Sequence, residues 1–469
     1  SRMNPCFSLV IARLDGAEKP NFVVWVIDSP LPEGFAHQTT VWSEDLTKAW
    51  LAWQEMFSPD QEYFLSGVKK PEINLTNQDL QESKELSYSA RLMQHFAVFL
   101  WQWLWNGDIR RSFEQNQSFA QGRQSGLRVR LEIRDPDLIP IPWEIMQPTT
   151  GKPAISVNPH IIFSRTTTDV ALLKISEERP EKLKILLVLG EKQGSCLELE
   201  KDAQILKQVF KSASVSTEVD ILLQPNTIEL IIALDNRDYN IFFYAGHGQK
   251  TPDGGLLFLG HGAAINGMEL AQVLVRNQVT LAVFNACWSA QPDQQEGIML
   301  ERSSLTEVLI HHGVPAVLGM RDSITDPEAL TFIEAFSQGI ASGMSIDEAV
   351  KIARQQLLII YKYNQPAWTL PVLYMHPSFD GTLLNTAPES TTILPSSVPL
   401  AYLRNADHQQ VWEIQGVIRI GRHPIGKSGQ INQVVITEAW VSSEHAMIFY
   451  RDIDDDYGYF LKDVSRFGT

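Results

Sequence analysis

The stretches YNIFFYAGHG at 239–248 and TLAVFNACWSA at 280–290 decide how this chain is read. Each is a short run of Ile, Phe, Val and Leu without polar alternation, as expected of a strand buried on both faces of a parallel sheet. Each also stops abruptly, the first in Gly-His-Gly and the second in Asn-Ala-Cys. In open α/β sheets, ligands and reactive groups collect beyond the carboxyl ends of the strands. The two strand ends therefore predict His247 and Cys287 side by side at one sheet edge. Between them, the hairpin-like DGGLLFLG and the helical MELAQVLV supply enough chain to return across one face of the sheet.

A thiol becomes a nucleophile when a neighbouring imidazole takes its proton, and the same imidazole can later protonate a leaving amine. His247 can serve both steps. Gly246 and Gly248 let the backbone approach a substrate closely, and the amides of Gly248 and Cys287 can face a developing oxyanion. Free cysteines are commonly buried as small apolar residues, and Cys287 taken alone reads that way. The Gly-His-Gly context and the polar loop SAQPDQQEG that follows turn the reading toward a nucleophile. Cys6 and Cys196 have no such context and read as buried thiols.

Working outward, LKILLVLG at 183–190 opens an alternation of apolar runs and amphipathic helices. It continues through helix LELEKDAQILKQVFKS, strand VDILLQ, helix NTIELIIALDN and the two quoted strands. Helix SSLTEVLIHHG, strand AVLGM, helices PEALTFIEAFSQGIASG and SIDEAVKIARQQLLII, and strand TLPVLYM follow. This predicts an α/β fold, a largely parallel sheet covered on both faces. The first third shows strands FSLVIARL and NFVVWVI, helical patterns at 43–57 and 87–121, and LRVRLEI at 127–133, whose alternation reads as a half-buried strand. DPDLIPIPWEIM at 135–146 reads as a fixed turn because of its prolines. Residues 381–400, rich in Thr, Ser and Pro, read as a linker, and the short strand-like runs from 401 onward as an all-β module.

Composition narrows the function. The 469 residues are 44% apolar and 20% charged, as in packed proteins of two or three domains. Against 55 acidic residues stand 39 Lys and Arg, a net charge of −16 with no basic patch, so neither nucleic acid nor an anionic membrane is expected as a partner. Three widely spaced cysteines predict neither a disulfide framework nor a metal cage, and point to a reducing, cytoplasmic setting. No cofactor or metal is expected. AVFLWQWLW at 97–105 lies in a pattern with Arg91, His95 and Gln102 and falls short of the roughly 20 residues of a membrane span. It reads as a buried helix, and no secretory signal is visible at the start.

Several stretches together resemble the CHAT peptidases, caspase-like proteins related to separase. They are YAGHG, NAC followed by WS, GVPAVLGMRDSITDPEALTF, SGMSIDEAVKIARQQL, WTLPVLY and LRVRLEIRDPDLIPIPWEIM, and the resemblance covers about 40–376. It implies a caspase-like, mostly parallel sheet flanked by helices, with a non-catalytic half at 1–175 and a catalytic half at 176–380. It implies a bacterial cysteine endopeptidase acting on protein substrates, with His247 and Cys287 as its catalytic pair and an activating partner as a further expectation. Trp143 and Glu144 fall in the family's Pro-Trp-Glu signature and are expected to support packing between the halves. In caspase-like folds an acid near the site often binds a basic P1 side chain. Asp326 matches the last acid of a related separase motif, although Ser323 stands where that motif has its other acid. Asp326 before Pro327 and Glu328 reads equally well as a helix N-cap; Asp322 and Asp293 are the other candidates.

GRHPIGKS at 421–428 fits the P-loop expression, but the β-rich GQINQVVITE follows where a helix is required, which excludes that reading. Gly421-Arg422, Ser442-x-x-His445 and Asp463-x-Ser465-x-x-Gly468-Thr469 resemble instead a forkhead-associated (FHA) domain at 401–469. That resemblance implies binding of a phosphothreonine-containing protein by Arg422, Ser442 and Ser465, with His445 bracing the loops. Phe467 stands where the family usually has a peptide-contacting Asn, and the sandwich is expected to be incomplete. RDIDDDYG, with Asp452, Asp454 and Asp456, reads as a solvated turn, since Gly458 falls one position late for a calcium loop. The alternative to an enzyme is a catalytically silent caspase-like scaffold acting as a phosphopeptide-binding adaptor.

Overall fold

The computed structural model describes residues 4–14, 20–31, 36–58, 65, 88–173, 180, 182–191, 203–205, 207–208, 217–286, 289–291, 294–295, 298–299, 304–384, 401–404, 411–414, 417–425, 432–453 and 456–465. They fall in two compact units, Ser1–Thr386 and Ala387–Thr469.

The long strands of the first unit are β1 (Cys6–Arg13), β2 (Asn21–Asp28), β3 (His37–Val41), β4 (Leu127–Ile133), β5 (Ile161–Thr166), β6 (Leu183–Leu189), β7 (Thr217–Leu223) and β8 (Ile241–Ala245). After the short β9 (Gly248–Gln249), β10 (Leu256–Phe258) and β11 (Ala264–Asn266) come β12 (Leu281–Asn285), the two-residue β13 (Gln294–Gln295) and β14 (Ile298–Met299), β15 (Ala316–Met320) and β16 (Pro371–Met375). Helices whose bounds fall wholly in the described residues are α1 (Glu44–Phe57), α2 (Tyr88–Leu104), α3 (Gly107–Gly122), α4 (Thr227–Asn236), α5 (Gly267–Arg276), α6 (Leu305–His311), α7 (Asp326–Ala341) and α8 (Ile346–Tyr361).

One eleven-stranded sheet runs in the order β3-β2-β1-β4-β5-β16-β15-β12-β8-β6-β7. Strands β1, β4, β5 and β16 are mutually parallel, as are β15, β12, β8, β6 and β7. The two blocks meet antiparallel where β15 pairs with β16, so their carboxyl ends leave opposite edges of the sheet. The expected α/β sheet flanked by helices is present, with the polar edge strand β3 added outside β2. One of two apolar cores among the described residues of the first unit joins its first third to its later elements: Phe7, Phe96 and Trp143 share it with Phe332, Ile346 and Trp368. AVFLWQWLW lies in α2 and is largely buried. The 87–121 pattern divides at Asn106, after which Gly107 takes φ +50 and restarts the chain as α3.

Two expectations need correction. LRVRLEI is not half-buried: β4 lies between β1 and β5, and Arg128 and Arg130 are 5% and 3% exposed. Burial is tolerable because both guanidiniums are bonded, Arg128 to the Asp347 carboxylate and Arg130 to the carbonyls of His376, Pro377 and Phe379. The linker also starts later than position 381, because Leu383 and Leu384 are 3% and 4% exposed in the first core. Residues 385–400 lie outside the described residues, as do Cys196 and most of LELEKDAQILKQVFKS.

The second unit pairs β17 (Ala401–Arg404) with β18 (Val411–Ile414). A four-stranded sheet is made by β19 (Val417–Gly421), β20 (Val434–Val435), β21 (Ala446–Ile453) and β22 (Asp456–Asp463), in the order β20-β19-β21-β22. Ile418, Ile420, Val434, Ala446 and Ile448 form its small core. Among the described residues, the next element after β19 is the strand β20; residues 426–431, Lys427 included, lie outside them. Asp452 and Asp456 fall near the tip of the β21–β22 hairpin. No helix among the described residues is long and apolar enough to cross a membrane.

Candidate active site

Strand β8 lies between β6 and β12, parallel to both, with Leu189, Ala245 and Asn285 level across the three. The next residues stay tied: the Gly190 amide donates to the Ala245 carbonyl at 2.9 Å and the Gly246 amide to that of Asn285 at 3.4 Å. His247 therefore stands two residues beyond the end of β8, exposed, at the carboxyl edge shared with β12. Cys287, two residues beyond Asn285 in sequence, lies outside the described residues, as does Trp288. The chain on either side is held: Ala286 is buried, the Met320 amide donates to Ser289 Oγ at 2.8 Å, and the Ala290 amide donates to the Met320 carbonyl at 3.0 Å.

The backbone of His247 is closed into a ring. Its amide donates to the Glu191 carbonyl at 3.0 Å, the Glu191 amide to the Phe258 carbonyl at 3.0 Å, and the Phe258 amide to the His247 carbonyl at 3.2 Å. Beneath it lies the Tyr244 hydroxyl, 2.8 Å from the His247 carbonyl and 2.7 Å from that of Phe258. Gly248, the expected oxyanion donor, opens β9 opposite Leu257 of β10. Sequence reading passed over Tyr244 and Glu191. The available signal was a tyrosine inside an apolar strand, since a buried phenol requires a hydrogen-bond partner.

The loop after β15 leaves the same sheet edge, because β15 is parallel to β12. It carries two of the three nominated acids. The Asp322 carboxylate accepts from the Ser323 amide at 2.7 Å. Asp326 is exposed and is the first residue of α7; the N-cap is Thr325, whose amide donates to Glu328 at 3.0 Å. The capping role thus falls one residue before Asp326. Asp293 lies outside the described residues.

Beside this loop the Pro-Trp-Glu signature is fully buried. Trp143 Nε1 donates to the Leu138 carbonyl at 2.8 Å, and Glu144 pairs with Arg165 on β5. Arg321, directly after β15, and Arg354 on α8 are buried in the same electrostatic neighbourhood, and burial lowers each to about 10. A cavity of about 550 Å³ opens elsewhere, at the ends of β4 and β5, lined by residues that include Glu132, Thr168, Glu307 and Tyr374, and none of the nominated residues is among its lining. Among the described residues, no group of three or more His, Cys, Asp or Glu is placed to hold a metal.

In the second unit, Arg422 follows β19, its amide donating to the Ser442 carbonyl at 2.9 Å and its Nη1 to the Ala439 carbonyl at 3.1 Å. The Ser442 amide donates to His445 Nδ1 at 3.0 Å, and the His445 amide to the Ile420 carbonyl at 2.8 Å. His445, 8% exposed, thus joins the Ser442 loop to the strand before Arg422. Ser465 follows β22, its amide donating to Asp463 at 2.7 Å. Phe467, Gly468 and Thr469 lie outside the described residues.

The architecture defines an α/β protein with its candidate histidine at the carboxyl edge of a parallel strand block, followed by a small β unit. Residues 94–412 match the CHAT domain model, more than half of the chain, and the protein belongs to the CHAT family. Residues 418–469 match the FHA domain model. No curated protein matches the chain. Among solved structures it is similar to a chain of the separase–securin complex of Saccharomyces cerevisiae, at 12% identity and a TM-score of 0.44 over 80% of this chain. It spans only 30% of that chain's length. Caspase-1 from Spodoptera frugiperda is similar at 13% identity and a TM-score of 0.28, over 46% of this chain and 98% of its own.

Proposed function

We propose that the chain is a cysteine endopeptidase of protein substrates, in which His247 activates Cys287 and the FHA region recruits or regulates through a phosphothreonine. The observation that carries this reading is the register of β8 against β12. Ala245 stands opposite Asn285, and the proposed base and nucleophile each follow two residues later. In that role His247 takes the thiol proton, the thiolate attacks the scissile carbonyl, and the C–N bond breaks as the imidazolium protonates the leaving amine. Water then hydrolyses the acyl-enzyme and restores the thiol. The amides of Gly248 and Cys287 are the proposed oxyanion donors, and Asp326, Asp322 or Asp293 the proposed partners of a basic P1 side chain. A free thiol nucleophile works where thiols stay reduced, which agrees with a cytoplasmic setting.

In the second unit, Arg422, Ser442 and Ser465 are the proposed phosphate ligands, a guanidinium and two hydroxyls on short loops. The test is labelling by an acyloxymethyl-ketone probe carrying a basic P1 residue, compared between wild type and Cys287→Ala. Labelling that depends on Cys287 is expected. Absence of Cys287-dependent labelling and of peptide cleavage, with retained binding of a phosphothreonine peptide, would establish the adaptor instead.

A further inference from the structure

Three backbone segments meet beneath His247, and one side chain bonds to two of them. Tyr244 is fully buried, and strand alternation points its ring to the face that also holds Phe242 and Phe284. Its hydroxyl ends between the carbonyls of His247 and Phe258, close enough to donate to either. The surrounding glycines leave the room it needs. A Cβ at Gly190 would lie 2.4 Å from the Tyr244 oxygen and 2.2 Å from the Phe258 carbonyl, and a Cβ at Gly246 would lie 2.6 Å from the same phenol oxygen. Gly246 is therefore required by close approach, in addition to any freedom it gives the backbone. Burial, reinforced by Glu191, pushes the phenol up from its ordinary value, so Tyr244 keeps its proton and remains a donor.

We propose that Tyr244 is a positioning residue for His247, its hydroxyl bracing the backbone ring of Glu191, His247 and Phe258 and so fixing where the imidazole leaves the sheet edge. The ring alone leaves His247 on an exposed turn between β8 and the short β9. The phenol anchors that turn to the rigid interior. A displacement of about 1 Å in a reacting group can cost on the order of a hundredfold in rate, so such an anchor bears directly on catalysis. That last consequence rests on the peptidase reading. The positioning itself does not.

The test uses the full chain and Tyr244→Phe. Phenylalanine preserves the ring volume, and both carbonyls keep a backbone donor, Phe258 from Glu191 and His247 from Phe258, so the variant is expected to fold. Hydrogen–deuterium exchange at the His247 and Phe258 amides is expected to rise on the order of tenfold, with β6 and β12 unchanged. Exchange unchanged at both amides, or raised equally throughout the sheet, overturns the proposal. Gly246→Ala should disturb the same amides, and less so in the Tyr244→Phe background; equal disturbance in both backgrounds also overturns it. The pH profile of Cys287 labelling gives the functional readout. Positioning lowers its plateau about tenfold without moving its midpoint, whereas an unchanged plateau or a shifted midpoint removes the positioning role. If wild type is not labelled at Cys287, the peptidase reading falls and the exchange result alone decides the role of Tyr244.

Discussion

Arg165 grips Glu144 through two hydrogen bonds of 2.9 Å, Nε to Oε1 and Nη2 to Oε2, with both side chains 1% exposed. Its Nη1 and Nη2 also donate to the carbonyls of Ile139 and Ile141, which fixes the proline-rich turn before Trp143 against β5. With Arg321 and Arg354 buried nearby, one carboxylate serves three guanidiniums. Glu144→Gln keeps the volume and removes the charge. It is expected to cost about 3–5 kcal/mol in denaturant unfolding, because the arginines remain buried without their counter-charge.

The same carboxylate sets an acid limit. Burial alone would raise Glu144 above its ordinary 4.5, but the Arg165 guanidinium overrides this and holds it lower. The native state therefore releases this proton more readily than the unfolded chain. The stability it contributes is full above the ordinary carboxylate range and is lost as pH falls through the lowered value. The gap in Tm between wild type and Glu144→Gln should be constant above about pH 5 and close below it. A gap independent of pH would show that the carboxylate is not ionised in the native protein.

Arg128 on β4 and Asp347 on α8 form a second buried pair, bidentate at 2.5 and 3.2 Å. Asp347→Asn is expected to cost about 3 kcal/mol. The double variant Arg128→Met with Asp347→Leu should recover much of that loss, since neither member of the pair is then left buried without the other. Chemical denaturation of the two singles and the double closes the cycle.

For the proposed chemistry, His247→Ala should slow Cys287 labelling on the order of a hundredfold or more while leaving the fold intact, because His247 is exposed. Asp326→Asn should reduce cleavage after Arg or Lys far more than after neutral residues. Equal losses would remove Asp326 from the P1 pocket.

In the second unit, Arg422→Lys keeps the charge but loses the planar fork, and is expected to weaken a phosphothreonine peptide about tenfold in fluorescence polarisation. Gly421→Ala should abolish binding by a different route. Its Cβ would lie 2.2 Å from the Ser443 carbonyl and 2.4 Å from Asn432 Nδ2, so the loops around Arg422 must move.

The strand and helix pattern was legible wherever burial left a clear period, as in β6, β8 and β12. β4 was misread because alternating Arg and apolar residues usually mark a solvated face. Here the neutralising Asp347 lies more than two hundred residues away, beyond the reach of any local pattern. The break between α2 and α3 was missed because one glycine with positive φ interrupts an otherwise continuous helical period. At the candidate site His247 and its glycines stood out by their contrast with the apolar strand. Tyr244 did not, because its role depends on Phe258, a residue of a different strand.

The position of β16 in the sheet has a consequence for synthesis. It is the last strand of the first unit to leave the ribosome, yet it lies between β5 and β15. A nascent chain arrested before Pro371 would therefore carry two open sheet edges, one on β5 and one on β15, each ready to pair with another chain. The helices α7 and α8 emerge just ahead of the closing strand, so the interval before closure is the time needed to translate and fold that hairpin of helices.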